Sequence, residues 1–186
     1  MNYDDYKEII KSRMSKDRYI HSVNVAKEAV RLAKKYGADP EKAEIAGILH
    51  DITKETPPEE QLKIIEDNGI ILNNVQKFSK KLWHSISGSA YVKQHLGIED
   101  EDILNAIKYH TSGRANMSLL EKVIFIADFT GAERDYDGVD IMREKAERSL
   151  EEAMEYGLIF TIKDLAERRL PIDINALEAY NQIVIE

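Results

Sequence analysis

Two aspartates sit where an acid is costly to leave alone. Asp51 follows Ile48-Leu49-His50, and Asp128 closes the apolar run Ile124-Phe125-Ile126-Ala127. Burying an isolated carboxylate costs on the order of several kcal/mol or shifts its protonation, so each needs a cation or several donors. Four of the five histidines, His21, His50, His84 and His110, fall at or near inward-looking positions of predicted helices, whereas His95 reads as surface. A divalent metal held by imidazoles and carboxylates would satisfy both aspartates. His50 and Asp51 are adjacent and can converge on one ion where a helix ends; His21 and Asp128 must reach it from other helices. Plainer assignments exist for each. A single histidine on an apolar face is usually a hydrogen-bonded core residue, Asp51 can be an acceptor at a helix end, and Asp128 can pair with Arg114, Arg134 or Arg143. The order of the whole set, His21, His50-Asp51, His84, His110, Asp128, favours the metal.

The elements that must position these residues read as helices. Val23, Ala26, Ala29, Val30 and Ala33 recur at three- and four-residue intervals until Gly37 stops them. Asp39-Pro40-Glu41 starts a second helix, carrying Ala43, Ala46, Gly47 and His50, whose small side chains predict close packing. Thr56-Pro57-Pro58 opens a third that closes near Gly69, and another runs from about Leu82 to Gln94. The acidic run Glu99 to Asp102 leads into Ile103, Ala106, Ile107 and His110, with carboxylates placed to complement a helix dipole. Ser118-Leu119-Leu120-Glu121 is a capping-box pattern before a run buried on most sides. One long amphipathic segment from about Val139 to Glu167 and a last one from Ile174 to Ile185 complete the chain. No run alternates long enough for a strand, so the fold class is an all-α, single-domain bundle over residues 1–186.

Composition narrows the chemistry. The chain has 186 residues, 43% hydrophobic and 32% charged, enough apolar material for one packed domain. Without cysteine there is no disulfide, thiolate nucleophile or sulfur-ligated metal, leaving His, Asp and Glu as strong ligands. A net charge of −8 argues against nucleic acid or anionic membrane as a partner and means that an anionic ligand needs local cations. The charged start, MNYDDYKEIIKSRMSKDRYI, lacks the apolar stretch of a secretory signal, and no run nears the roughly 20 apolar residues that span a bilayer. A cytoplasmic protein is the expectation.

Taken together, Arg18-Tyr19-Ile20-His21-Ser22-Val23, Ala46-Gly47-Ile48-Leu49-His50-Asp51-Ile52-Thr53-Lys54, His84, His110-Thr111-Ser112-Gly113-Arg114 and Glu121 through Asp128 resemble the HD-domain metal-dependent phosphohydrolases. More closely, the chain resembles the YqeK family of symmetrical diadenosine tetraphosphate hydrolases. The similarity continues through Glu133-Arg134 and Leu177-Glu178-Ala179-Tyr180-Asn181. It implies an HD-type helical domain with its metal-binding core over about residues 18–130 and C-terminal helices, about 139–186, packed on it. It implies that His21, His50, Asp51 and Asp128 hold a metal, iron foremost, with manganese or cobalt as alternatives. His84 and His110 match further histidines that serve a second ion, with Asp51 as bridge, or else bind phosphate or donate a proton.

The implied activity is attack of metal-bound hydroxide on a phosphoanhydride, releasing two ADP from diadenosine tetraphosphate. Asp51, Lys54, His84 and His110 are then the candidate catalytic residues. Lys54, Arg18, Arg114 and Arg134 are the candidate phosphate cations, arginine's fork matching phosphate oxygens. Thr111 and Gly113 read as a turn that holds a phosphate through hydroxyl and backbone N–H, or simply as a helix termination. Tyr136 and Tyr109 could stack on adenine or belong to the core, and core is favoured for Tyr109. Two departures from the resemblance, His84-Ser85-Ile86-Ser87-Gly88 and Gly131-Ala132-Glu133-Arg134, bear on the lining of the nucleotide pocket. The competing expectations are another HD-domain hydrolase, acting on nucleoside monophosphates, deoxynucleoside triphosphates or guanosine polyphosphates, and a non-catalytic, metal-stabilised nucleotide-binding module. Oligomeric state is left open, a homodimer included.

Overall fold

Helix α1 (Tyr3–Lys11) opens with a capping box between Asn2 and Asp5 and buries Tyr6 and Ile10. No expectation covers it, because its charged first turn masks a narrow apolar stripe. The computed structural model describes residues 1–185; Glu186, the end of the expected 139–186 segment, lies outside them. Among the described residues there are eleven α-helices, one 3₁₀ turn and no strand, which is the all-α fold that the periodicity predicts. No helix of the described residues is long and apolar enough to cross a membrane.

Helix α2 (Lys16–Tyr36) begins at Ser15 and ends at Gly37, as the glycine signal requires. Its buried stripe is Ser22, Val25, Ala26, Ala29, Leu32 and Ala33, slightly rotated from the expected one, since Val23 and Val30 are only half-buried. Helix α3 (Pro40–Leu49) starts where Asp39 accepts hydrogen bonds from the N–H groups of Glu41 and Lys42. The two helices cross where Gly47 meets Ala26: a Cβ built on Gly47 would lie 2.7 Å from Ala26 Cα. Only a glycine permits that approach, and it fixes how near the C-terminal end of α3 comes to the N-terminal half of α2.

Helix α4 (Pro58–Asp67) and the short α5 (Asn74–Phe78) precede the 3₁₀ turn at 80–82 and α6 (Trp83–Leu96). Ile65, Leu72, Trp83 and Ile86 form a small apolar cluster there, separate from the main core. Helix α7 (Glu101–Tyr109) is capped by Asp100 and packs on α6. Helix α8 (Leu119–Thr130) has both halves of the Ser118/Glu121 capping box. From Val123 to Ala127 it is 0% exposed, so it runs through the main core, which extends from Tyr6 to Ala179.

The expected continuous segment from Val139 to Glu167 is instead two helices, α9 (Val139–Arg148) and α10 (Leu150–Glu167). Ser149 breaks it, adopting φ −157° and ψ 140° and accepting hydrogen bonds from the N–H groups of Glu151 and Glu152. A serine inside an amphipathic run leaves the apolar period intact, so only its capping preference signals the break. Helix α11 (Ile174–Ile185) packs on α10.

Gly47→Ala is expected to destabilise the protein by roughly 1–3 kcal/mol, because the added methyl overpacks against backbone rather than a movable side chain. Urea denaturation measures this; an unchanged midpoint would show that α2 and α3 separate freely.

Candidate metal centre

The crossing of α2 and α3 brings two histidine rings together edge to face, with an interplanar angle of 70°. His21 Nε2 lies 3.2 Å from His50 Nε2. Asp128 reaches the same point from α8, its Oδ1 lying 3.1 Å from His21 Nε2 and 4.0 Å from His50 Nε2. Asp51 completes the group, with Oδ2 3.6 Å from His21 Nε2 and 3.4 Å from His50 Nε2.

A second pair of histidines sits on the other oxygen of the same carboxylate. Asp51 Oδ1 is 3.2 Å from His84 Nε2 and 3.5 Å from His110 Nε2, and those two nitrogens are 3.2 Å apart. Lys54 Nζ is 3.1 Å from His84 Nε2, and Thr111 Oγ1 is 3.2 Å from it. The backbone after α3 turns tightly, with Ile52 N–H on Leu49 O and Lys54 N–H on Asp51 O, which returns Lys54 to the Asp51 side. That turn is tied at both flanks: Thr53 Oγ1 donates to His84 O at 2.8 Å, and Glu55 accepts from the backbone N–H and hydroxyl of Ser15.

The ring nitrogens facing away from the cluster set the tautomers. His50 Nδ1 is 2.7 Å from Gly47 O and His110 Nδ1 is 2.7 Å from Ile107 O. A carbonyl can only accept, so both Nδ1 atoms carry hydrogen and, in the neutral ring, both Nε2 atoms present lone pairs. Both carbonyls belong to the last turn of a helix, where oxygens lack intrahelical donors. His21 Nδ1 faces Glu133, which also accepts from Asn24 Nδ2 at 2.8 Å. This is the arrangement by which outer groups orient ligating imidazoles.

A metal fits these residues. Lone pairs of neutral imidazoles pointed at each other across 3.2 Å repel unless a cation or proton lies between them. Asp51 Oδ1 is buried without a hydrogen bond of acceptable geometry, although nitrogens surround it. The candidate ligands form three overlapping sets, His21/His50/Asp51, His50/His110/Asp128 and Asp51/His84/His110, each with its ligand atoms within 4.8 Å of one another. Burial opposes ionisation of Asp51, but the polar surroundings supplied by His50, His110 and His84 outweigh it and hold the carboxyl well below its ordinary range. Asp128 is likewise held low against burial, by His21, Arg134, His50 and His110. Burial pushes His84 down to about 4, partly offset by Asp51, so its ring is neutral at neutral pH and can offer a lone pair.

Cations stand at one edge. Arg18 Nη1 donates to Asp51 Oδ2 at 2.8 Å, and Arg134 donates to both the Asp128 carboxylate and its backbone oxygen. They line a polar cleft of about 510 Å³ together with His21, Glu133 and Tyr136. Of the three arginines considered for Asp128, Arg134 is the partner; Arg143 donates to the carbonyls of Thr130, Gly131 and Arg134.

Two expected phosphate groups are differently engaged. Arg114 makes a two-pronged pair with the buried Glu121, Nε to Oε1 at 2.7 Å and Nη2 to Oε2 at 2.8 Å, and also donates to Ala115 O. Its fork is therefore committed to the capping box of α8. Gly113 gives its N–H to Tyr109 O at 2.8 Å and has φ +67°, so it ends a helical turn rather than offering a free N–H. Tyr109 is half-buried beside Arg114. Sequence reasoning missed the roles of Glu133, which orients His21, and Thr53, which holds the start of α6. Their only signal was membership of the matched segments.

A family model for the HD domain matches residues 18–133. The chain is 39% identical to the symmetrical bis(5'-nucleosyl)-tetraphosphatase of Halalkalibacterium halodurans over 186 residues, covering 100% of this chain and 99% of that protein. It is also 39% identical to the protein of the same name from Bacillus subtilis, covering 99% and 98%. A crystal structure described as a predicted HD superfamily hydrolase involved in NAD metabolism, from Clostridium acetobutylicum, is similar with a TM-score of 0.96 and 38% identity, covering 100% of this chain and 98% of that one.

Arg114→Ala is expected to leave the metal content unchanged while destabilising the fold by about 3 kcal/mol, since Glu121 is left charged and buried. Urea titration with parallel elemental analysis checks both; weakened substrate binding at unchanged stability would restore Arg114 to the phosphate site.

Proposed function

The chain belongs to the HD domain family, and on that premise we propose that it is a metal-dependent hydrolase that cleaves diadenosine tetraphosphate with water at the centre of its phosphate chain, giving two ADP. The observation that carries the reading is Asp51, one carboxylate whose two oxygens face two different pairs of imidazoles. That arrangement supports two ions rather than one. His21, His50, Asp51 and Asp128 would hold the first, and Asp51, His84 and His110 would hold the second. Imidazole and carboxylate without sulfur suit iron, and also manganese or cobalt; iron is taken from the family resemblance. When bound, such ions supply water of lowered pKa and neutralise charge on phosphoryl oxygens.

The remaining work falls to the chain's own groups. A polyphosphate approaching a protein of net charge −8 needs local cations, and Arg18 and Arg134 supply them along the polar cleft. Both guanidinium groups also brace carboxylates, which keeps Asp51 and Asp128 in place before substrate arrives. Lys54 stands beside the His84/His110 pair, where its Nζ donates to an oxygen of the departing phosphate. Thr111 offers a hydroxyl on the same side. Glu133 keeps the His21 ring turned so that Nε2 faces inward. The reading treats residues 1–186 as one domain and the enzyme as cytoplasmic, with nucleotides as its partners rather than nucleic acid or membrane, as a monomer or homodimer.

With iron, manganese or cobalt and diadenosine tetraphosphate in ¹⁸O-water, ADP is the expected sole product, half of it labelled. AMP plus ATP, or preferred turnover of a nucleoside monophosphate, deoxynucleoside triphosphate or guanosine polyphosphate, would assign the site to other HD-domain chemistry. Lys54→Ala should lower kcat by about 100-fold, the usual cost of removing one transition-state donor; a change in KM alone would make Lys54 a binding residue only. Glu133→Ala should weaken metal binding by roughly 10- to 100-fold in a metal titration, as loss of an orienting partner does. Unaltered affinity would show that packing alone orients His21.

A further inference from the structure

Three of the four clustered imidazoles are oriented from behind by a hydrogen bond. His21, His50 and His110 each have Nδ1 on a fixed acceptor, a carboxylate for His21 and a helix-end carbonyl for the other two. His84 differs. Its contacts with Asp51, Lys54, His110 and Thr111 are all made by Nε2, and among the described residues nothing hydrogen-bonds its Nδ1. A ring without an outer partner points where its backbone puts it, so whatever fixes the backbone of residue 84 takes the part that a carbonyl plays for His50.

That backbone is held from the turn after α3. Thr53, 0% exposed and two residues beyond Asp51, donates its hydroxyl to His84 O at 2.8 Å. A hydroxyl has one hydrogen, so in the contact between Thr53 Oγ1 and Ser87 Oγ, also 2.8 Å, the donor is Ser87. The chain from Ser87 through Thr53 to His84 therefore runs in one direction and leaves the Thr53 rotor fixed. Gly88 lets α6 lie against it: a Cβ built there would sit 3.4 Å from Thr53 Oγ1. Ser89, two residues beyond Ser87, donates at 2.8 Å to Leu104 O of α7, the helix that ends at His110. Buried hydroxyls of α6 thus tie it to both of the other elements that bear ligands of the second position. None of these bonds reaches His21, His50 or Asp128.

We propose that Thr53 is the positioning residue of the second ion's site: its hydroxyl, oriented by Ser87, fixes the His84 backbone and so holds Nε2 beside Asp51 Oδ1, with no hold on the first site. The proposal rests on the two-ion reading above and adds a consequence to it. The two sites are supported separately, the first by Glu133, Arg134 and the close approach at Gly47, the second by buried hydroxyls.

The test uses crystals of wild type and of Thr53→Val, which keeps the branched shape and loses the hydroxyl. Both are equilibrated with graded manganese, and the anomalous peak is measured at each position. Beside His84 and His110, the manganese concentration for half-occupancy should rise by about 10-fold or more, the usual cost of losing an outer partner. Among His21, His50 and Asp128 it should not change. Thr53→Ser, which restores the hydroxyl, should return the second site to wild-type affinity, a rescue that packing alone does not give. Where Thr53→Val does not fold, Thr53→Ala is held to the same criterion. An equal rise at both positions, no rise at either, or no rescue by Thr53→Ser would overturn the proposal while the two-ion reading stands. Wild type with a single occupied position would overturn the two-ion reading, and the proposal with it.

Discussion

A carboxylate that is 2% exposed and surrounded by imidazoles is the constraint on which this structure depends. Asp51 cannot remain charged in that setting without positive charge nearby, and its two oxygens need it in two places. One oxygen faces His21 and His50 and is braced by Arg18; the other faces His84 and His110 with Lys54 beyond. Meeting that demand requires α2, α6, the ends of α3 and α7, and α8 to converge. The rest of the bundle fixes their positions, since removal of a charged group's partners in a buried site costs more than most packing changes.

The local devices that achieve convergence are simple and repeated. His50 and His110 each stand at the C-terminal end of a helix and use Nδ1 on the carbonyl three residues back. A helix end thereby supplies an acceptor that needs a donor and, in the same contact, directs Nε2 toward the cluster. Close approach of α3 to α2 at Gly47 then sets the distance between His50 and His21. Arg134 joins Asp128 to the segment that carries Glu133, so one short stretch after α8 steadies both a carboxylate and His21.

Much of this was legible in the sequence, for physical reasons that differ from residue to residue. The starts at Asp39 and Ser118 and the stop at Gly37 were readable because capping depends on residue type over a few positions. The order of histidines and aspartates was readable because ionisable groups next to apolar runs are conspicuous. The break at Ser149 was hidden by amphipathic periodicity that continues across it. Arg114 reads from the sequence as a phosphate cation, and its pairing with Glu121 across the capping box is one that charge counting does not expose. Glu133 gave no sign of its surroundings beyond its place in a matched segment, since an acid's role depends on what the fold places beside it.

Anomalous diffraction at the iron edge from crystals of the iron-loaded protein tests the central claim most directly. The account predicts two peaks flanking the Asp51 carboxylate, one among His21, His50 and Asp128 and the other beside His84 and His110. A peak remote from Asp51, or no peak at full iron loading, would contradict it.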